Sequence, residues 1–117
     1  MAPPLAPLTP RTNVWLESGG EVALSRWRVE LLQAIDRLGS ISAAAESMNI
    51  QYRLAWQRVH EMEERLGVAL VHTTTGGAGG GGAILTPAAR DLIERFLTLA
   101  DAVDGFAAQQ AQRHFPS

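Results

Sequence analysis

The sequence predicts a mainly α-helical protein that also contains two small β-hairpins, which places it in the α+β class. Apolar residues recur at helical spacing in several separate segments, and short stretches of strand type lie next to glycines. The chain has 117 residues, of which 46% are hydrophobic and 19% are charged, so it suits one globular domain with a modest core.

The composition disfavours several classes of function. There is no cysteine, and the three histidines (His60, His72 and His114) are scattered without ligand spacing, so neither a metal nor another cofactor is predicted. No apolar run approaches the roughly 18 residues of a membrane span, and the N-terminus lacks the features of a secretory signal. We therefore expect a cytoplasmic protein without a membrane partner. No catalytic constellation is present, so an enzyme is not predicted.

The N-terminal region predicts a leader followed by a hairpin. Residues 1–12 contain four of the six prolines and are expected to form a flexible leader, whose role stays open. Apolar and polar residues then alternate on both sides of Gly19-Gly20, which is the pattern of a short β-hairpin. The alternating apolar residues are Val14, Leu16, Val22 and Leu24.

Two helices are predicted next. Ser25 is positioned to cap the first helix and Gly39 to stop it. Ser42 can cap a shorter second helix, in which Ala43-Ala44-Ala45 would let another helix pass close, and Asn49 can end it in the left-handed conformation. The apolar residues at helical spacing in the first helix are Val29, Leu32, Ile35 and Leu38.

A longer helix is predicted from Gln51 to Leu66, closed by Gly67. At about 100° per residue, its apolar residues fall on one stripe, which faces the core, and its polar residues fall on the opposite stripe. The first stripe holds Ala55, Val59, Met62 and Leu66, and the second holds Arg53, Gln57, His60 and Glu64.

A second hairpin and a last helix complete the chain. Val68-Ala69-Leu70-Val71 is a run of strand type, Ala83-Ile84-Leu85 is its expected partner, and a glycine-rich tract separates them. Thr86 as N-cap and Pro87 at the first helical position open a helix that runs towards Arg113. Its apolar face is wider than a small domain can cover alone, which predicts a homodimer. That face includes Phe96, Leu99, Val103 and Phe106.

Helix, tight turn, helix and hairpin are the order of a winged helix-turn-helix. In that fold the second helix of the pair enters the major groove of DNA, and the hairpin tip reaches the neighbouring backbone or minor groove. The predicted boundaries are residues 13–113 for the domain, 42–66 for the helix-turn-helix, 68–86 for the wing and 87–113 for the C-terminal dimerisation helix.

Most of the chain, roughly Ser25 to Val103, resembles the N-terminal DNA-binding domain of ModE-type molybdate-responsive regulators, which are related to LysR-type domains. The stretch in question is GSISAAAESMNIQYRLAWQRVHEMEERLG, followed by LV, TTTGGAGGGGAILT and a helix. Tyr52, Ala55 and Trp56, together with the glycine tract, are typical of the ModE type. The matches shared with LysR-type proteins are Gly39-Ser40-Ile41-Ser42, Ala44-Ala45, Leu66-Gly67 and Leu85-Thr86.

The resemblance implies binding to double-stranded DNA and homodimerisation through the first and last helices. ModE-type regulators usually continue into a molybdate-binding domain, whereas this sequence ends at Ser117. The expectation is therefore a regulator that lacks this domain, and the resemblance does not imply molybdate sensing. In the family a lysine stands where this sequence has Ala78, a departure that removes a phosphate contact from the wing.

Candidate DNA contacts lie on the long helix. A guanidinium can pair with guanine and a carboxamide with adenine, so Arg53 and Gln57 are the candidates for base edges. Gln51 and Tyr52 at the helix start and Arg58 on its flank suit phosphates. Two further candidates are Trp56, for which packing against the neighbouring helix is favoured over DNA contact, and Ser42 of the shorter helix.

The glycine tract supplies the wing candidates. Glycines without Cβ would let backbone N–H groups approach phosphates closely, and threonine hydroxyls could add contacts. A disordered surface loop is the alternative, and a nucleotide-binding loop is discarded, because the tract lacks the lysine and hydroxyl of that motif. The candidates are Thr74, Thr75, Gly76, Gly77, Gly79 and Gly80, with Thr73 beside them.

The charge pattern leaves one alternative open. A net charge of -2 argues weakly against nucleic acid, and an interaction module that kept the winged fold but lost DNA binding is the second hypothesis. From Gln51 to His60, however, there are two arginines and no acid, so the local field is positive. His60 is interpreted as a solvated histidine and not as a pH switch. The acids that follow it (Glu61, Glu63 and Glu64) are interpreted as a solvated face or as helix pairs with Arg58 and Arg65.

Overall fold

A computed structural model describes residues 4–74 and 81–116. Within these ranges the chain forms four helices and two antiparallel two-stranded sheets, so the predicted α+β class is confirmed. The strands are β1 (Trp15–Ser18), β2 (Glu21–Ser25), β3 (Val71–Thr74) and β4 (Gly82–Leu85). The helices are α1 (Arg26–Leu38), α2 (Ile41–Ser47), α3 (Tyr52–Leu66) and α4 (Pro87–His114).

The N-terminal hairpin forms as predicted. Gly19 and Gly20 adopt positive φ angles of 61° and 84°, the conformation that a two-residue hairpin turn requires of its central residues. Strand β1 is exposed along its whole length, whereas Leu24 of β2 is buried in the core. The hairpin is therefore attached to the domain through β2.

Hydroxyl caps fix the starts of three helices. The side chain of Ser25 accepts a hydrogen bond from the Arg28 amide at 3.2 Å, and Thr86 accepts one from the Ala89 amide at 3.1 Å, so both predicted caps are confirmed. Gly39 and Gly67 end α1 and α3 at φ angles of 80° and 74°, again as predicted.

The predicted cap of α2 is wrong. Ser40, not Ser42, lies in the extended conformation before the helix, and its hydroxyl accepts from the Ala43 amide at 3.0 Å. Ser42 lies inside the first turn, so the helix-turn-helix begins at Ile41. Asn49 has a φ of 56°, which confirms the left-handed end of this segment.

One hydrophobic core joins all four helices. The apolar stripe of α3 is confirmed, since Ala55, Val59 and Met62 are buried and Leu66 packs against them. Ala44 is fully buried, which is consistent with close packing of α2 against its neighbours. The other large core residues are Leu24, Val29, Leu31, Leu32, Ile35, Leu70, Leu85 and Phe96.

The wing hairpin begins three residues later than expected. β3 pairs with β4 from Val71↔Leu85 to Thr74↔Gly82, whereas Val68 and Ala69 lie outside the strand. Glu63 of α3 accepts hydrogen bonds from the Leu70 and Val71 amides at 2.8 and 3.3 Å, so the helix holds these amides where the strand begins.

The last helix packs with its first half and extends with its second. Ala89, Phe96 and Ala100 are buried, and among the described residues of α4 after Ala100 none is buried. Phe106 is 63% exposed.

Residues 4–14 form no helix or strand, and the flexibility of the leader stays a prediction. No helix in the described ranges is long and apolar enough to span a membrane.

Candidate nucleic-acid interface

The outer face of α3 carries the polar residues that the sequence assigns to DNA. Arg53 and Gln57 are exposed, while Ala55 and Val59 on the opposite side are buried. Because the buried side is held by the core, the orientation of the exposed side is fixed. The two candidates for base contacts therefore project from one rigid surface, one turn apart along the helix.

The start of α3 is open, in contrast to the starts of the other three helices. Gln51 precedes the helix in an extended conformation and forms no side-chain cap hydrogen bond. The first amides of a helix carry partial positive charge, and without a cap they can bind an anion such as a phosphate. The predicted placement of Gln51 and Tyr52 near phosphate fits this open end.

The two arginines of the outer face have different surroundings. Arg58 forms an ion pair with Glu61, whose carboxylate oxygen lies 2.8 Å from the Arg58 Nη1 atom. Within the described ranges, Arg53 forms no ion pair. The unneutralised positive charge at the start of α3 therefore belongs to Arg53, and Arg58 would have to leave Glu61 in order to bind a phosphate.

Glu61 also binds two arginines from the inner side of the domain. Its Oε2 atom lies 3.1 Å from Arg28 of α1 and 3.6 Å from Arg65 of α3. Burial alone would raise the pKa of Glu61, but the hydrogen bond from Arg28 and the charges of Arg58, Arg28 and Arg65 outweigh burial and lower that pKa. The carboxylate is thus charged at neutral pH and holds α1 against α3.

A cleft separates the start of α3 from the wing. It has a volume of about 480 Å³ and is open to solvent on one side. Of the predicted contact residues, Ser42, Tyr52, Trp56 and Thr74 line it, so the structure brings together the helix-turn-helix and wing candidates that lie within the described ranges. The remaining lining residues are Ile41, Thr73, Gly81, Gly82 and Ala83.

The base of the wing is held by tight backbone packing. The Gly82 amide donates to the Thr74 hydroxyl at 3.0 Å, and the Ala83 amide donates to the Gly39 carbonyl at 2.8 Å. A Cβ atom placed on Gly81 would lie 2.4 Å from the Thr74 carbonyl oxygen, so this position requires glycine. At Gly81 the absence of a side chain is therefore explained by strand packing.

The other wing candidates, Thr75, Gly76, Gly77, Gly79 and Gly80, lie outside the described residues, as does Ala78. Their role as contacts to the DNA backbone stays a prediction.

Trp56 lies at the surface beside the cleft, and its packing against the neighbouring helix stays a prediction. Its side chain is 43% exposed, and its ring stacks on the His60 ring with a centroid distance of 3.7 Å and an interplanar angle of 24°. The reason is its position between the buried stripe and the outer face, where the cleft leaves space beside it. His60 was not among the predicted contacts, although the spacing of four residues allows the two rings to meet.

The structural roles of two further residues, Arg28 and Glu63, could not be recognised from the sequence. The pairs of Glu61 with Arg58 and Arg65 are confirmed, but the partner Arg28 lies 33 residues away in sequence, and helical spacing carries no signal for it. Glu63 was interpreted as part of a solvated face or of a helix pair, yet its carboxylate accepts hydrogen bonds from the Leu70 and Val71 amides at the start of the wing. Only the folded chain shows these contacts.

The sequence matches the family model of the bacterial regulatory helix-turn-helix protein, lysR family, over residues 27–90. The molybdenum-pterin-binding protein MopB of Rhodobacter capsulatus is 48% identical over 69 residues, which are 59% of this chain and 26% of MopB. The DNA-binding transcriptional dual regulator ModE of Escherichia coli K12 is 42% identical over 73 residues, 62% of this chain and 28% of ModE. The aligned part thus spans little more than a quarter of these relatives, and over that part the resemblance to ModE-type regulators is confirmed.

Solved structures share the fold at low sequence identity. The DNA-binding domain of CbnR in its complex with DNA has a TM-score of 0.57 at 22% identity, covering 75% of this chain and 99% of that domain. Vibrio fischeri DarR in complex with DNA has a TM-score of 0.56 at 19% identity, covering 78% of this chain and 30% of DarR. The winged helix-turn-helix architecture is therefore confirmed.

Proposed function

This chain belongs to the LysR family of bacterial regulatory helix-turn-helix proteins, and on that premise we propose that it is a sequence-specific DNA-binding transcriptional regulator. The observation that carries the proposal is the start of α3, where the helix end is uncapped, Arg53 forms no ion pair within the described ranges, and Tyr52 and Trp56 line an open cleft. These are the features that a DNA-reading helix needs: positive charge, free donors and room for a phosphate backbone.

In the proposed complex, α3 lies in the major groove. Arg53 and Gln57 contact base edges, since bidentate donors there distinguish guanine and adenine from the other bases. Gln51 and Tyr52 bind phosphates at the helix start, and Thr74 with residues 75–80 of the wing approaches the neighbouring backbone. The cleft between α3 and the wing would receive one strand of the duplex.

We further propose that the protein acts as a cytoplasmic homodimer. Helix α4 exposes apolar side chains on both sides of Ala100, among them Leu99 at 37% and Phe106 at 63% exposure. A second copy would bury these side chains and place two α3 helices in successive major grooves, about 34 Å apart. Molybdenum appears in the names of the longer relatives and forms no part of this proposal.

The second candidate is an interaction module that has lost DNA binding. The net charge of -2 and the pairing of Arg58 with Glu61 favour it, because both weaken the field that attracts phosphates. The two candidates differ in one respect. Only the regulator requires Arg53 and Gln57 for its binding.

The experiment is selection of duplexes from a random pool, followed by affinity titration at several salt concentrations. We expect an enriched sequence and an affinity that falls as salt rises. The Arg53→Ala, Gln57→Ala double variant should bind the enriched duplex more weakly and with less selectivity.

The matched control is Arg95→Ala, which removes the same charge from an exposed side chain of α4. Equal binding by the parent and the double variant, or no enrichment at low salt, would favour the interaction module.

A further inference from the structure

The rings of Trp56 and His60 form an ordered pair on the outer face of α3. Their centroids lie 3.7 Å apart, and the His60 Nδ1 atom lies 2.9 Å from the Trp56 carbonyl oxygen. Both side chains are exposed, although aromatic rings on a solvated helix face gain little from burial there. Two interactions thus hold one exposed histidine in one orientation.

The hydrogen bond determines which nitrogen of His60 carries the proton. A carbonyl oxygen only accepts, so Nδ1 donates and carries hydrogen. In the neutral ring the other nitrogen, Nε2, then has a free lone pair. The exposed ring offers this lone pair to the surroundings as a hydrogen-bond acceptor.

The position of His60 places it on the same stripe as the candidate base contacts. Arg53, Trp56, Gln57 and His60 occur at i, i+3, i+4 and i+7, which is one face of a helix. A helix in the major groove contacts successive base pairs with such a stripe. His60 lies one turn beyond Gln57, so it would meet the base pairs that follow those read by Arg53 and Gln57.

We propose that His60 is a further specificity-determining residue, which accepts a hydrogen bond through Nε2 from an exocyclic amino group of adenine or cytosine, and that Trp56 positions it. In the major groove only these two bases present an amino donor, adenine through N6 and cytosine through N4. The inference rests on the proposed function, because it requires α3 to lie in the groove. Trp56 acts through its stacked ring and its carbonyl oxygen, which hold the His60 ring in one orientation.

The test uses the enriched duplex from the selection and removes amino groups one at a time. Purine replaces each adenine and 2-pyrimidinone replaces each cytosine, which removes the exocyclic amino group and the base-pair hydrogen bond that it donates, and His60→Ala on the same duplexes controls for the lost base-pair bond. For the parent, we expect one position outside the Arg53 and Gln57 contacts where this loss weakens binding about three- to tenfold. For His60→Ala the same loss should have no effect.

Two variants separate positioning from contact. Trp56→Phe keeps a ring for stacking and should retain most of the response at that position, whereas Trp56→Ala should lose it. His114→Ala removes an exposed histidine of α4 that also contacts a residue four positions earlier, and it should respond like the parent.

The outcomes separate this inference from the proposed function. If the parent selects no duplex, the proposed function fails and the inference fails with it. If the parent binds selectively but His60→Ala keeps the full response to the analogues, the inference alone is overturned. A uniform weakening by His60→Ala on every duplex would also overturn it, since that is the behaviour of a phosphate contact.

Discussion

The two halves of α3 differ in what satisfies their polar groups. In the first half, Gln51 leaves the helix start uncapped, and Arg53 has no ion pair within the described ranges. In the second half, Glu61 binds three arginines and Glu63 caps the entry to the wing. The polar groups in the first half of α3 are thus available to a partner, whereas those in the second half are bound within the domain and stabilise the fold. The difference indicates that charge count alone does not locate a binding surface, because a residue bound within the domain is not available to a ligand.

The largest effect is expected from Arg53→Ala. Loss of a guanidinium that pairs with a base edge should raise the Kd for the enriched duplex by about 5- to 100-fold, which corresponds to about 1–3 kcal/mol. The free energy of unfolding should change by less than about 0.5 kcal/mol, because the side chain is exposed. Titration and urea unfolding of the same preparation measure both quantities. A large loss of stability would contradict the interpretation that the first half of α3 binds a partner and that only the second half stabilises the fold.

Glu61→Gln should have the opposite effects, with a loss of stability and no loss of affinity for DNA. We expect a loss of about 1–2 kcal/mol in the free energy of unfolding, because Arg28 is only 11% exposed and would lose its charged partner. Affinity for the enriched duplex should hold or improve, since Arg58 is released and the net charge becomes less negative. Affinity that falls as far as in Arg53→Ala would argue that the second half also contacts DNA.

The same variant predicts a pH dependence. Because the folded protein lowers the pKa of Glu61 below the ordinary value of 4.5, the carboxylate stabilises the fold above that pH. This stabilisation is lost as the pH falls through the lowered pKa of the folded state. The stability difference between the parent and Glu61→Gln should therefore be constant near neutral pH and shrink in acid. Urea unfolding of both proteins at several pH values measures this difference. A difference that grows in acid would contradict the predicted direction of the pH dependence.

A smaller effect is expected when the wing entry is loosened. Glu63→Ala removes the acceptor for the Leu70 and Val71 amides, so we expect a loss of about 1 kcal/mol in stability. Glu63→Gln keeps an oxygen acceptor and serves as the matched control, with a smaller loss. If the two variants are equally stable, the carboxylate does not hold the strand.

The smallest effect tests the open helix end. Gln51→Ser introduces a residue that can cap α3, so the free energy of unfolding should rise by about 0.5–1 kcal/mol. Affinity for DNA should fall, because the serine hydroxyl then occupies an amide that a phosphate would bind. Ser25→Ala at the capped start of α1 is the comparison, which should lose stability without a change in selectivity. Higher stability with unchanged affinity would show that the first amides of α3 do not contact phosphate.

The fold was predictable where the signals are local. Ser25, Thr86, Gly39 and Gly67 mark helix ends through contacts within a few residues, and all four predictions are confirmed. The α2 cap was ambiguous, because two serines flank Ile41 and only the backbone conformation distinguishes them. The spacing of the residues in the sequence cannot show which serine hydroxyl accepts a hydrogen bond from the first turn of the helix.

The candidate site was predictable only in part. Helical periodicity placed Arg53 and Gln57 on the exposed face of α3, and the structure confirms that exposure. The pairing of Arg58 depends on a cluster completed from α1, and the stacking of Trp56 on His60 depends on side-chain rotamers. Both are tertiary properties, so a one-dimensional pattern gives no direct signal for them.

Amide hydrogen exchange with and without the enriched duplex tests the central claim most directly. In the free protein, the amides of Tyr52 and Arg53 should exchange rapidly, because no cap binds them. On addition of the duplex their exchange should slow, while surface amides of α4 stay unchanged. Slow exchange at Tyr52 and Arg53 in the free protein, or protection by DNA that appears elsewhere and not at these two residues, would contradict the account.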